Sequence, residues 1–176
     1  TTNQNLAGLK TRDQAKTFIY ALVYGAGDAK IGSVAGGGLN KGKELKQTFF
    51  KNLPSLKILK EKVQKASERG FLKGLDGRKI YVRSQHAALN TLLQGGGAIA
   101  MKKAMCFLQA LIKLNDIDAK FVANIHDEWQ IEVPTEQADF VGELGVKSIE
   151  RASEHFKMRC PLTGEYKIGE NWYETH

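Results

Sequence analysis

Apolar side chains recur every three to four residues over most of this chain and alternate in only two short stretches. Ala15, Phe18, Ile19, Leu22 and Val23 form one such set. Their spacing predicts an amphipathic helix over residues 11–25 with one face packed into a body. Thr11 suits its N-cap, Asp13 its first turn, and Gly25 and Gly27 its end. Residues 1–10 are polar apart from Leu6 and Leu9, and read as the end of a preceding helix or a loose arm. Residues 28–38 are glycine-rich and close on Gly36-Gly37-Gly38. Such a loop can cradle phosphate, but it has no Walker pattern and no strand before it, so a short helix and a turn are expected. Residues 39–50 and 54–69 predict two charged helices, with Pro54 at a first turn. Leu45, Phe49 and Phe50, and Leu56, Leu59 and Val63, are their core faces.

Beyond Gly70 the period shortens. Residues 71–73 and 79–83 are strand-like and flank Leu75-Asp76-Gly77, a hairpin signal. Residues 84–114 predict one long buried helix carrying Leu89, Leu92, Leu93, Ile99, Met101 and Phe107. Gly95-Gly96-Gly97 should weaken or bend it, since each glycine costs about 1 kcal/mol against alanine. Phe121, Ala123 and Ile125 alternate before His126-Asp127-Glu128, and Trp129, Ile131 and Val133 alternate after it. Two strands meeting at an acidic tip are expected. A helix over residues 135–156 and a short strand with an aromatic tail complete the chain.

Composition narrows the class. The 176 residues suffice for a domain with a real core. With 42% hydrophobic and 26% charged residues, the chain is not of a disordered type. Its net charge of +7 suits a polyanionic partner without proving one. Cys106 and Cys160 lack metal-ligand spacing and suggest no disulfide framework. Cys106 lies in an apolar run and reads as a small core residue. No apolar run reaches membrane-spanning length, so no membrane partner is expected.

The polar side of the first amphipathic helix carries the candidate chemistry. Arg12, Lys16, Tyr20 and Tyr24 are four apart and form one drifting stripe. Cations about 6 Å apart along an axis suit successive phosphates. An aromatic one turn on can pack on a sugar or base. A solvated basic face accounts for the same spacing. A second four-residue series, His86, Asn90 and Gln94, lies on the long helix.

These words carry a resemblance. Arg-x-x-x-Lys-x-x-x-Tyr-x-x-x-Tyr-Gly, within TRDQAKTFIY and YGAGD, resembles the fingers helix, motif B, of family A (Pol I-like) DNA polymerases, most closely those of small tailed phages. HAALNTLLQ resembles the family's helix that reads the minor groove. GLDGRKIYVRS resembles its hairpin near the primer-template, and the His126-Asp127-Glu128 hairpin resembles motif C. The resemblance implies an α+β fold, with mostly helical fingers over 1–70 and the C-terminal half of a palm, built around an antiparallel hairpin, over 71–176. It implies dNTP binding by Arg12, Lys16, Tyr20 and Tyr24. It implies primer-template DNA binding by Arg78, His86, Asn90 and Gln94. Asn90 and Gln94 would test pair shape, because every correct pair offers minor-groove acceptors in nearly the same places.

The implied chemistry is phosphoryl transfer with two Mg²⁺ ions. Asp127 would be a metal ligand, Glu128 a more peripheral acid, and His126 a neighbour of the primer terminus. The family's other catalytic aspartate, in an Asp-x-Ser-x-Ile/Leu-Glu strand, has no counterpart here. The thumb and exonuclease also lack one, as does a phosphate-binding histidine of the phage branch. The chain is therefore expected to be a C-terminal fragment whose boundary is at Thr1. It would need a complementary N-terminal polymerase chain, or be cut from a longer protein, and would work in the cytoplasm of a phage-infected or bacterial cell. Its palm strands would leave an edge that invites pairing. A non-catalytic DNA-binding remnant is the alternative, and a small nucleotide-binding regulator is a weaker third.

Overall fold

The computed structural model describes residues 2–175. The expected boundary residue, Thr1, therefore lies outside the described residues. The elements are α1 (Thr2–Ala7), α2 (Arg12–Val23), α3 (Asp28–Ser33), α4 (Leu39–Asn52), α5 (Pro54–Ser67), β1 (Phe71–Lys73), β2 (Lys79–Tyr81), α6 (Ala88–Leu114), β3 (Lys120–Ile125), β4 (Glu128–Glu132), α7 (Ala138–His155) and α8 (Trp172–Thr175). β1–β2 and β3–β4 form two separate antiparallel pairs. The α+β class with predominant helix is as the sequence implies.

The chain forms two compact units. One comprises the residues up to Lys73 with Lys79–Gln94, and the other Gly74–Arg78 with the residues from Gly95 onward. In the first, Phe18 and Phe49 meet edge-on at 5.2 Å, and Leu22, Ile31 and Leu45 close around them. The glycine-rich stretch serves packing. A Cβ on Gly32 would stand 1.9 Å from the Gly38 carbonyl oxygen, and one on Gly42 would stand 1.7 Å from that of Asp28. Only hydrogen fits there, so α3 and α4 touch backbone to backbone. A smaller cluster of Val63, Leu72, Ala88 and Leu89 joins α5, β1 and the start of α6. Leu59, expected in a core face, is exposed.

In the second unit Leu108 and Ile112 of α6 pack with Ile117 and with Val141 and Leu144 of α7. Phe121, Trp129 and Ile131 lie against this cluster. Four corrections to the sequence reading arise here. First, the weakening expected at Gly95-Gly96-Gly97 does not interrupt α6, which is assigned continuously over Ala88–Leu114. Second, Leu93 and Cys106 are exposed. Ala104, Leu108 and Ile112 make the buried stripe, and Cys106 lies about 200° around the helix from Ala104 or Leu108. Third, Phe121 pairs with Ile131 but Ala123 pairs with Gln130, so Val122 is an inserted bulge residue. Opposed residues share a face, so Phe121 and Ala123 lie on opposite faces despite their spacing.

Fourth, residues 160–171 form no strand. They run along α7, where Ser153 Oγ accepts from the Leu162 N–H at 3.0 Å and Thr163 donates to Glu150 at 3.1 Å. The Tyr166 ring lies where a Cβ on Gly142 would intrude at 2.3 Å.

Candidate functional site

In the first unit, α2 starts where Thr11 Oγ1 accepts from the Gln14 N–H at 3.1 Å. Its buried face is Ala15, Phe18 and Leu22. Arg12, Lys16, Tyr20 and Tyr24 are all exposed. Neither Arg12 nor Lys16 has a carboxylate partner among the described residues. Both charges are thus available to an anion. The two tyrosine rings stand 6.5 Å apart at 42°.

The helix closes in a Schellman turn. The Gly25 N–H donates to Leu22 O at 3.2 Å and the Ala26 N–H to Ala21 O at 2.9 Å. Gly25 has φ +76°, the left-handed conformation this turn needs. A Cβ there would also stand 2.3 Å from the carbonyl oxygen of His86. His86 lies in a 3₁₀ turn, Gln85–Ala87, that leads into α6. One turn on, Asn90 is half-buried. Two turns on, Gln94 Nε2 donates to Tyr24 Oη at 2.9 Å. The unit thus brings the two four-residue stripes into contact at Tyr24-Gly25.

The second unit carries the remaining candidates. Arg78 sits in the tip of the first hairpin, and its Nε donates to Asp76 Oδ2 at 2.7 Å. This hydrogen bond holds the Asp76 carboxyl below the usual aspartate range. In the second hairpin Ile125 pairs with Glu128, so His126 and Asp127 alone form the turn. His126 has φ +53°. A two-residue hairpin turn demands positive φ at its start, and histidine is among the few side chains that tolerate it. His126 and Asp127 are exposed at the tip. Glu128 is half-buried on the face opposite the core and accepts a hydrogen bond from Gln130.

Asp127 and Glu128 are hard oxygen donors, the type Mg²⁺ prefers. Their number falls short: among the described residues no group of three or more His, Cys, Asp or Glu is placed to hold a metal. The donor chemistry fits Mg²⁺ as a contribution of one or two carboxylates.

The family model described as DNA polymerase family A matches residues 2–174. The chain belongs to DNA polymerase family A. The DNA-directed DNA polymerase of Escherichia phage Phieco32 is 43% identical over 99% of this chain and 30% of its own length. That of Escherichia phage T7 is 41% identical over 100% of this chain and 28% of its own length. The chain therefore spans under a third of these relatives. The POL domain of Pol1 from M. smegmatis, solved in complex with DNA primer-template and dNTP, superposes with a TM-score of 0.76 at 19% identity. The likeness covers 85% of this chain and 30% of that one, and shows a shared fold.

Within this family A chain, sequence reasoning missed three features. Gly25 was legible as a helix stop, but its closeness to His86 is a long-range fact with no local signal. The Gln94–Tyr24 bond could be suspected only from the two stripes having the same period. Lys46 reads as one of many surface lysines, yet its Nζ donates to the Ala26 carbonyl at 3.1 Å and pairs with Asp28 at 2.7 Å. It fixes the turn that follows α2.

Proposed function

We propose that this chain supplies the nucleotide-binding helix, the groove-reading helix and one acidic pole of the metal site in a DNA-directed DNA polymerase. The polymerase extends a primer 3′ end with dNTPs. The observation that carries this reading is the exposed, unpaired Arg12–Lys16 stripe on a helix whose Tyr24 is tied to Gln94.

Arg12 and Lys16 neutralise the triphosphate and set its orientation. Tyr20 packs by the deoxyribose and Tyr24 at the templating pair. His86, Asn90 and Gln94 line the minor groove, and Arg78 holds the DNA backbone. Asp127 ligates Mg²⁺, with Glu128 more peripheral and His126 beside the primer terminus. Two Mg²⁺ ions, when bound, would lower the pKa of the attacking hydroxyl and stabilise the in-line transition state. The acids that complete the site lie on polypeptide outside this chain, whether in the same or another molecule.

Primer extension by the chain alone, and in the presence of the rest of a palm, tests this reading. Extension requiring the added palm is the expected result. In that assembly Asp127→Asn should lower kcat on the order of 10³-fold with DNA affinity kept, comparing loss of a transition-state donor elsewhere. Lys16→Ala should lower kcat/KM for dNTP about tenfold or more. Unchanged kinetics in both variants would sink the assignment.

A second reading, DNA binding without catalysis, draws on the short donor set among the described residues. It predicts retained primer-template binding and no extension in either mixture.

A further inference from the structure

The second unit holds an open cleft of about 550 Å³. Three elements wall it: the first hairpin's tip with Asp76 and Arg78, the middle of α6 with Lys102 and Lys103, and the end of α7 with Phe156 and Lys157. All belong to one compact unit.

The charges on these walls do not balance. Asp76 is the lone carboxylate, and Arg78 already holds it, with Nη2 at 2.6 Å. Lys102, Lys103 and Lys157 have no carboxylate partner among the described residues. Three lysines without a carboxylate partner among the described residues thus line one cleft. Gathering like charges at a concave surface is unfavourable until an anion joins them, and it focuses positive potential there.

Lys157 supplies an independent observation. α7 ends in a Schellman turn, with the Lys157 N–H on Glu154 O at 2.9 Å and the Met158 N–H on Ser153 O at 3.0 Å. Lys157 occupies the left-handed position at φ +52°, where glycine is usual. Attraction to the helix C-terminus explains a cation anywhere in the last turn, but not a lysine at the one strained position. Asp116 takes the same conformation at the end of α6, at φ +51°, but only at Lys157 does the side chain so placed line the cleft.

The remaining wall suits a nucleotide's organic part. The Phe156 and His155 rings both line the cleft and lie 4.9 Å apart. Cations interleaved with aromatics are how proteins hold phosphates and bases together.

We propose that this cleft is a phosphate site for a nucleotide chain, with Lys102, Lys103 and Lys157 on the phosphates and Phe156 against sugar or base. It lies apart in sequence from the α2 stripe and stands whether or not that stripe binds dNTP. The phosphates come from a free nucleotide or from a single DNA strand.

The test is titration of the whole chain with inorganic tripolyphosphate, followed by calorimetry and by amide and lysine NMR shifts. A set of shifts at Lys102, Lys103 and Lys157, separate from any at residues 12–24, is expected. Lys102→Gln with Lys103→Gln should weaken binding at the cleft about tenfold or more, and Lys147→Gln, on the exposed side of α7 and outside the cleft, should leave it unchanged. Lys157→Gly should weaken binding while raising Tm, an opposition that unfolding cannot mimic. Displacement by dATP identifies a free nucleotide as the source, and displacement by oligothymidylate alone identifies a DNA strand. No binding at millimolar tripolyphosphate, shifts confined to residues 12–24, or equal affinity in the double variant would overturn the proposal.

Discussion

The ends of α2 and α7 are built alike and filled differently. Both close with the same pair of backbone hydrogen bonds around a left-handed residue. After α2 that residue is Gly25, and the His86 carbonyl occupies the space a side chain would need. After α7 it is Lys157, whose side chain lines a cleft. One turn gives up its side chain so that two backbones can touch. The other accepts strain so that a cation can be presented. Identical backbone geometry thus serves packing at one end and, on our proposal, ligand binding at the other.

The sharpest way to break this comparison is Gly25→Ala. The methyl group meets two obstacles at once, an unfavourable φ and the His86 carbonyl. Together they should cost about 3 kcal/mol in urea unfolding. The entry to α6 must also move, so the Gln94–Tyr24 contact should be lost and polymerase activity of the assembled enzyme should fall. An unchanged unfolding midpoint would show that the turn relaxes freely. The mirror experiment, Lys157→Gly, should have the opposite sign and a smaller size, a gain of up to about 1 kcal/mol.

How much of this was legible follows from what is local. Helix faces such as Ala15, Phe18 and Leu22, and the caps at Thr11 and Gly25, are set by near neighbours, and the periodicity located them. The acidic hairpin was legible because only two residues separate its alternating runs. The illegible features depend on distant partners. The Val122 bulge reverses a face that strict alternation assigned, because β3 must match β4 residue by residue while packing Phe121 on the α6–α7 core. Cys106 looked apolar by context, but the buried stripe is set by where α7 lies. The tail's extended course depends on Ser153 and Glu150 of α7. Roles for the site residues came from resemblance to the polymerase family, since four-residue spacing alone fits a solvated face equally well.

His126 sharpens the comparison, because it too is a non-glycine residue in the left-handed conformation, at φ +53°, as is Asp116 at φ +51°. If its side chain acts at the primer terminus, it belongs with Lys157: strain kept for use. His126→Gly should then stabilise the hairpin by up to about 1 kcal/mol while lowering kcat of the assembled polymerase. A variant with full activity would place His126 with the purely structural turns.

The smallest effect concerns what else steadies the α2 turn. Lys46 bridges the Ala26 carbonyl and the Asp28 carboxylate, and its hydrogen bond to Asp28 holds that carboxyl below the usual aspartate value. A carboxyl depressed in the folded state contributes stability that is fully present above the unfolded pKa of about 3.9. That stability is lost as pH falls through the lower folded value. Asp28→Asn should therefore lower Tm slightly at neutral pH, and the gap from the unsubstituted chain should close below about pH 4. The end of α7 shows no such bridge to Lys157 among the described residues. A gap that persists to the lowest pH at which the chain stays folded would mean that Asp28 acts through packing or through α3, and that Lys46 holds the turn by its carbonyl bond alone.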